Sequence, residues 1–274
     1  VAPPLKISSL QNPRVKLAAS IAGDRKARTQ HGIFVVEGCR EIQRAMLSGY
    51  QPTQVFAQRN ILSSEGEAIL STLSEIPEIE HYDVTPEVFA KLAMREDKDG
   101  LYVTFKQKNH DLSQLRLPEK PLILAVHGVE KPGNLGALLR SADGAGASAV
   151  VILGGTVDLY NAHVIRGSLG TLFSCQVALA SEEAFRHLCR ERHIQVVAAA
   201  LSDRSIPHFS ADLSRSTAIL VGSEAYGLPS TWLEWADQVI KIPMCGIADS
   251  LNVSAAGGII LYEALRQRDY RSGK

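Results

Sequence analysis

Six short stretches in the second half of the chain are apolar without the alternation that a half-wet strand shows. They are LILAVHGV (122–129), SAVVIL (148–153), FSCQVAL (173–179), IQVVAAA (194–200), TAILVGS (217–223) and QVIKIP (238–243). A strand with one face in water alternates polar and apolar residues, so runs of this kind must be covered on both faces. Helix-like stretches separate them: NLGALLRSADGAG (134–146), a segment near 160–167, EEAFRHLCRER (182–192), a short one after Pro229 and a long final one. This order predicts an α/β fold with a parallel sheet and helices on both faces. Ligands of such sheets sit beyond the carboxyl ends of the strands.

The first half reads differently. GIFVVEG (32–38), PTQVFAQ (52–58), EIEHYDV (79–85) and GLYVTFKQ (100–107) are strand candidates, with helical spacing over 40–47 and 64–75. A small α/β domain over 1–110 follows, then a polar, proline-closed linker at 111–120 and a second domain over 121–274. The net charge is zero, from 29 Lys and Arg against 29 Asp and Glu, yet it is unevenly spread. Residues 1–44 hold eight bases and three acids, and residues 64–100 hold ten acids and three bases. A basic N-terminal region is a candidate phosphate-contacting surface, or simply a solvated face. No apolar run nears the ~20 residues of a membrane span, and the first residues lack the apolar core of a signal peptide. Four scattered cysteines without metal spacing suit a reducing compartment. The expectation is a soluble, cytoplasmic protein that uses no metal.

Three glycine-bearing polar stretches follow three of the apolar runs: EKPGNLGALLRSA, GSEAYGLP and IPMCGIADSLNVS. They are expected to gather at one end of the sheet. The first is not a dinucleotide G-x-G-x-x-G turn, nor a phosphate-binding P-loop. There is no G-x-S-x-G nucleophile elbow, and no histidine pair has metal spacing. Taken singly, each polar residue has an ordinary structural reading. Arg140 could pair with an acid such as Glu224, and Asn252 or Ser254 could cap the last helix. Their joint occurrence at three strand ends is harder to explain that way. The last helix also carries Gly257 and Gly258 side by side, each costing roughly 1 kcal/mol against alanine.

The order N-x-G-x-x-x-R-S-A (134–142), G-S-E-x-x-G-L (222–228) and I-P-M…S-L-N-V-S (242–254) resembles the three motifs of SpoU/TrmH-type RNA 2′-O-ribose methyltransferases of the SPOUT class. S-x-x-N-P-R-V-K (9–16) and F-V-V-E-G-x-R (34–40) are similar to the L30-like substrate-binding domain that such enzymes often carry. Lys131 stands where an aspartate is frequent, and HGV (127–129) replaces a more acidic version. The resemblance implies a small N-terminal L30-like domain and a C-terminal parallel-sheet domain with a deep trefoil knot. It implies S-adenosylmethionine as cofactor, held around Leu201, Gly222, Ser223, Ile242, Met244, Ser250 and Leu251. Arg140 is expected to act on the ribose 2′-hydroxyl, with Asn134, Glu224, Asn252 and Ser254 orienting arginine, ribose or loop. A homodimer whose partner helps to build the site is implied, with RNA as substrate and large-subunit rRNA favoured. A tRNA methyltransferase and an inactive RNA-binding protein of the same fold stay open. An enzyme acting on a small molecule is disfavoured by the basic N-terminal region. Gly257 and Gly258 would let the last helix approach neighbouring backbone, at the knot or at the subunit interface.

Overall fold

The computed structural model describes residues 4–93, 99–154 and 157–268. In chain order the strands are β1 (Leu5–Ile7), β2 (Ile33–Glu37), β3 (Pro52–Ala57), β4 (Glu80–Val84), β5 (Leu101–Lys106), β6 (Leu122–His127), β7 (Ala149–Leu153), β8 (Val177–Ala180), β9 (Gln195–Ala199), β10 (Ile206–Pro207), β11 (Thr217–Val221) and β12 (Gln238–Lys241). The helices are α1 (Pro13–Gly23), α2 (Arg25–His31), α3 (Cys39–Leu47), α4 (Ser64–Ser74), α5 (Pro86–Leu92), α6 (Pro132–Gly144), α7 (Ala162–Gly167), α8 (Thr171–Ser174), α9 (Glu182–Glu191), α10 (Ser230–Trp235) and α11 (Val253–Gln267). They form two compact units. One comprises Val1–Lys108 with Asp158–Ser174, and the other Asn109–Val157 with Cys175–Lys274.

The first unit is built on a mixed sheet of order β1-β4-β3-β5-β2, in which β3 pairs β4 in parallel and β5 antiparallel. Successive residues of a strand point to opposite faces. Val35 of β2 thus joins Val15, Ala18 and Ile21 of α1 and Val88 and Phe89 of α5 in one core cluster. Phe34 points the other way and stacks on Tyr160 at 4.2 Å between ring centroids, with Phe173 at 5.8 Å. Segment 158–174, which lies in sequence between β7 and β8, is therefore core material of this unit. Arg28 seals it there. Only 3% exposed, it donates from Nε to Asp158 at 2.9 Å and from Nη1 to the Ala22 carbonyl at 2.8 Å. The basic N-terminal region is accordingly less free than its sequence suggests. Arg44 donates to the Leu169 carbonyl, and Arg14 lies over the Tyr82 ring near Glu80.

The second unit holds a wholly parallel sheet of order β10-β12-β9-β11-β6-β7-β8. Ile123, Ala125, Leu220 and Ala198 pack with Phe185 of α9 and Trp232 of α10 on one face. Strand neighbours of opposite parity face α6 and α11, which also pack on each other. Residues 109–117 are laced to the β8 edge. Leu179 donates its N–H to the His110 carbonyl at 2.7 Å, and Leu112, Leu115 and Leu117 pack on the core. The stretch read as a linker is thus fixed to this unit along much of its length.

The expected strands and helices are present with modest boundary shifts. β1, α1, α2, α5 and β10 had not been read, and residues 171–174 form a helical turn where a strand was expected to begin at Phe173. The paired glycines of α11 admit side chains, not backbone. A Cβ on Gly257 would lie 2.5 Å from Leu138 Cδ2, and one on Gly258 3.3 Å from Ser141 Oγ. Their neighbour is α6 of the same unit. No helix among the described residues is long and apolar enough to cross a membrane.

Candidate active site

The sheet order makes the carboxyl ends of β12, β9 and β11 neighbours although 38 residues separate β9 from β12 in sequence. A cavity of about 370 Å³ opens there, within the range of small-molecule sites. Leu201, Gly222, Ser223, Ile242, Met244, Ser250 and Leu251 all line it, so the seven residues expected to hold a cofactor are brought together. Glu224 lines it too, exposed and without a hydrogen-bond or ion-pair partner among the described residues. Leu228, Leu233, Val253, Ala256 and Ile260 complete an apolar floor.

The 222–228 turn owes its shape to two glycines. A Cβ on Gly222 would stand 2.3 Å from the Gly227 carbonyl carbon, and Gly227 takes φ +63°. Both are therefore obligatory for steric reasons. The Gly222 approach is to the turn's own backbone. Ser223 and Gly227 exchange backbone hydrogen bonds of 3.2 and 2.9 Å, and Ser223 Oγ accepts from the Tyr226 N–H at 3.1 Å.

Asn252 caps α11: its Oδ1 accepts from the Ser254 N–H at 3.0 Å and from the Ser254 hydroxyl at 2.6 Å. Its Nδ2 donates to Asn134 Oδ1 at 3.2 Å. One amide thus caps α11 and joins it to α6, and Asn134, Asn252 and Ser254 are not among the residues that line the cavity. Asn134 Nδ2, in turn, is buried with no hydrogen-bond partner among the described residues. An orphaned buried donor costs about 1–3 kcal/mol, and it suits a site that acquires an acceptor from outside the chain. Arg140 stands apart. It is exposed on α6, has no hydrogen bond or ion pair among the described residues, and does not line the cavity. Six residues from Asn134, it lies about 9 Å along the helix and roughly 120° around it.

Several lining residues escaped the sequence reading. Ala199 and Leu233 belong to regular elements and Ala200 directly follows β9, and none carries a signal, whereas Lys241 and Asp249 flank motif residues. Tyr226 lies inside G-S-E-A-Y-G-L, and its place in the motif could have found it. Among the described residues no three His, Cys, Asp or Glu side chains cluster as a metal site.

The chain is similar in sequence and fold to known proteins. An RNA 2′-O ribose methyltransferase of known structure is 39% identical to this chain, with a TM-score of 0.83 and coverage of 96% of this chain and 99% of that one. The AdoMet-bound rRNA methyltransferase from Sinorhizobium meliloti is 29% identical, with a TM-score of 0.86 and coverage of 95% and 97%. The 23S rRNA (uridine(2479)-2′-O)-methyltransferase of Streptomyces viridochromogenes is 29% identical over 94% of this chain and 91% of its own length. A model of an MRM3-like substrate binding domain matches residues 12–102. The model of the SpoU rRNA Methylase family matches residues 121–262, more than half of the 274, and the chain belongs to that family.

Proposed function

We propose that this protein transfers a methyl group from S-adenosylmethionine to a ribose 2′-hydroxyl of large-subunit ribosomal RNA. The observation that carries the reading is the cavity at the ends of β9, β11 and β12, which the second and third motifs line while Asn252 of the third holds Asn134 of the first by a hydrogen bond. Its donor set fits the cofactor. Leu201, Ile242, Met244 and Leu251 supply apolar walls, while the backbone of the Gly222–Ser223 turn and the Ser250 hydroxyl supply polar contacts. Bound there, the cofactor would supply an electrophilic methyl on a sulfonium sulfur, and the ribose 2′-hydroxyl that accepts it would have to give up its proton.

Arg140 holds or takes that proton, or stabilises the developing alkoxide, through its planar donor fork. Asn134 and Asn252 orient ribose or arginine through their joined amides, Ser254 steadies Asn252, and Glu224 meets the arginine or the incoming nucleotide. The protein works as a homodimer in the cytoplasm, and the segment 242–254 is threaded as the knot of its class. Residues 1–110 grip RNA through Lys6, Lys16 and Lys26, which are exposed, while 121–274 performs the transfer. Preference for rRNA rests on the relative aligned over 94% of the chain, whose name specifies 23S rRNA.

The test is incubation of the protein with tritiated S-adenosylmethionine and transcribed, unmodified 23S rRNA, followed by mapping of ribose methylation. Label at a single 2′-oxygen is expected. Label on a base, or on tRNA but not rRNA, would overturn the corresponding part of the reading.

A further inference from the structure

Tyr226 is 88% exposed, more than any other aromatic side chain among the described residues, and it stands at the rim of the cavity. An exposed tyrosine on an open loop would mean little, but this one is mounted on a tight turn closed by its own hydrogen bonds. The Ser223–Gly227 backbone pair closes the turn, the Ser223 hydroxyl accepts the Tyr226 N–H, and the Gly222 position leaves no room for even a methyl group. Ordering entropy that a flexible loop would lose on binding is already spent. Leu201, 61% exposed, adds a second apolar side chain to the same rim.

We propose that Tyr226 is a stacking platform for an unpaired nucleobase of the RNA, at or next to the nucleotide that is methylated. The inference rests on the function proposed above and deepens it. A ribose can bring its 2′-oxygen to a recessed cavity only if its nucleotide leaves a helical stack, and a base so released needs a new face to lie on. A rigid aromatic ring at the cavity mouth provides one, and it does so without regard to base identity. The surroundings favour a base over a second copy of this chain. Glu224, Lys241, Asp249 and Ser250 are exposed and line the same cavity as Tyr226, whereas the centre of a protein interface is depleted of charge. Tyr226 is thus a residue that binds and positions substrate, and the proton-handling groups are others.

The experiment compares Tyr226→Phe, Tyr226→Trp, Tyr226→Leu and Tyr226→Ala in the full chain. Affinity for transcribed, unmodified 23S rRNA is measured by filter binding with the protein saturated in S-adenosylhomocysteine. Cofactor affinity is measured separately by calorimetry. Leucine and alanine should weaken RNA binding by about five- to a hundredfold, the range of one base–aromatic stack, and raise the RNA concentration for half-maximal methylation by the same factor. Phenylalanine and tryptophan should keep RNA affinity, and cofactor affinity should not move in any variant. Leucine binding RNA as well as tyrosine would overturn the proposal, because apolar area alone would then suffice. So would a variant that loses cofactor affinity at constant RNA affinity, or an alanine variant that falls from dimer to monomer. Failure of the parent protein to methylate any RNA would instead remove the proposed function, and the binding comparison would still decide the stacking.

Discussion

Replacing Gly257 by alanine removes a glycine from a helix interior, worth about 1 kcal/mol in helix propensity. The added methyl would stand 2.5 Å from Leu138 Cδ2, where two carbons are comfortable only at roughly 3.5–4.0 Å. Leu138 is fully buried on α6, so it has little room to swing aside, and overpacking of this kind costs about 1–3 kcal/mol. The net expectation is a loss of about 0–2 kcal/mol. At Gly258 the methyl meets only the Ser141 hydroxyl at 3.3 Å, the rotatable end of a half-buried side chain. Most of the propensity gain survives, and Gly258→Ala should stabilise by about 0.5–1 kcal/mol. Urea unfolding followed by tryptophan fluorescence reads this directly. Trp232 and Trp235 are the protein's two tryptophans and both lie in the second unit, so the signal belongs to the α6–α11 body, and midpoints are compared at constant m. The double variant Leu138→Ala, Gly257→Ala should lose at least about 1 kcal/mol less than the sum of its parts, since the new methyl fills some of the space vacated. Equal stabilisation at both glycines, or strict additivity in the double variant, would refute the close packing of α11 on α6.

Arg28→Met leaves Asp158 as an unpaired, largely buried carboxylate, and a loss of about 3–5 kcal/mol is expected in the thermal unfolding of the first unit. A fragment of residues 109–274 would expose Tyr160, Phe173 and the rest of segment 158–174, which pack within the first unit. It should aggregate on expression, and replacing 158–174 by a flexible Gly/Ser linker of similar length should restore a monodisperse protein that binds cofactor; a well-behaved unmodified fragment would contradict this. Burial raises the Cys39 thiol to about 11 and the Cys175 and Cys189 thiols to about 12, so these stay protonated and unreactive at pH 8, becoming competent only as pH rises toward those values. Cys245 is exposed beside Met244 of the cavity. Ellman's reagent should therefore titrate one thiol rapidly in the folded protein and four in denaturant, and S-adenosylmethionine should slow the rapid one.

The parallel sheet and its site edge were legible because their signals are local. Apolar runs without alternation mark strands buried on both faces, and glycine-bearing turns after β6, β11 and β12 mark the carboxyl ends. What stayed hidden depends on tertiary partners. Nothing in DLYNAHVIRGSLGTLFS (158–174) says that Tyr160 and Phe173 pair with Phe34, since the match requires 125 and 138 residues of intervening chain to fold first. The basic character of residues 1–44 misled in the same way. Arg28 and Arg44 read as charge available to a partner, yet their donors are consumed by Asp158 and by backbone carbonyls. β1 has three residues and β10 two, too few for any periodicity to register.

Arg140 is where motif and geometry part. Its motif places it with Asn134, but α6 carries it about 9 Å onward and to another side of the helix, outside the cavity that the other motifs line. Both remain consistent if the arginine serves a cavity on a second protomer. Ile259 and Tyr262 on the outer side of α11 are exposed, and a two-fold dimer using that surface and α6 would cover them while delivering each Arg140 to its partner. Arg140→Ala should then lower the methyl-transfer rate at least about a hundredfold with cofactor affinity retained, and Arg140→Lys should do little better. Gly222→Ala should abolish cofactor binding by distorting the 222–228 turn. Neither variant is active alone. After denaturation and joint refolding of equal amounts, half of the dimers are mixed, and one of the two sites in each mixed dimer unites an intact cavity with an intact arginine. About a quarter of parental activity should return. If Arg140 acts within its own chain, no site in the mixture is whole, and the refolded material stays as inactive as its parents.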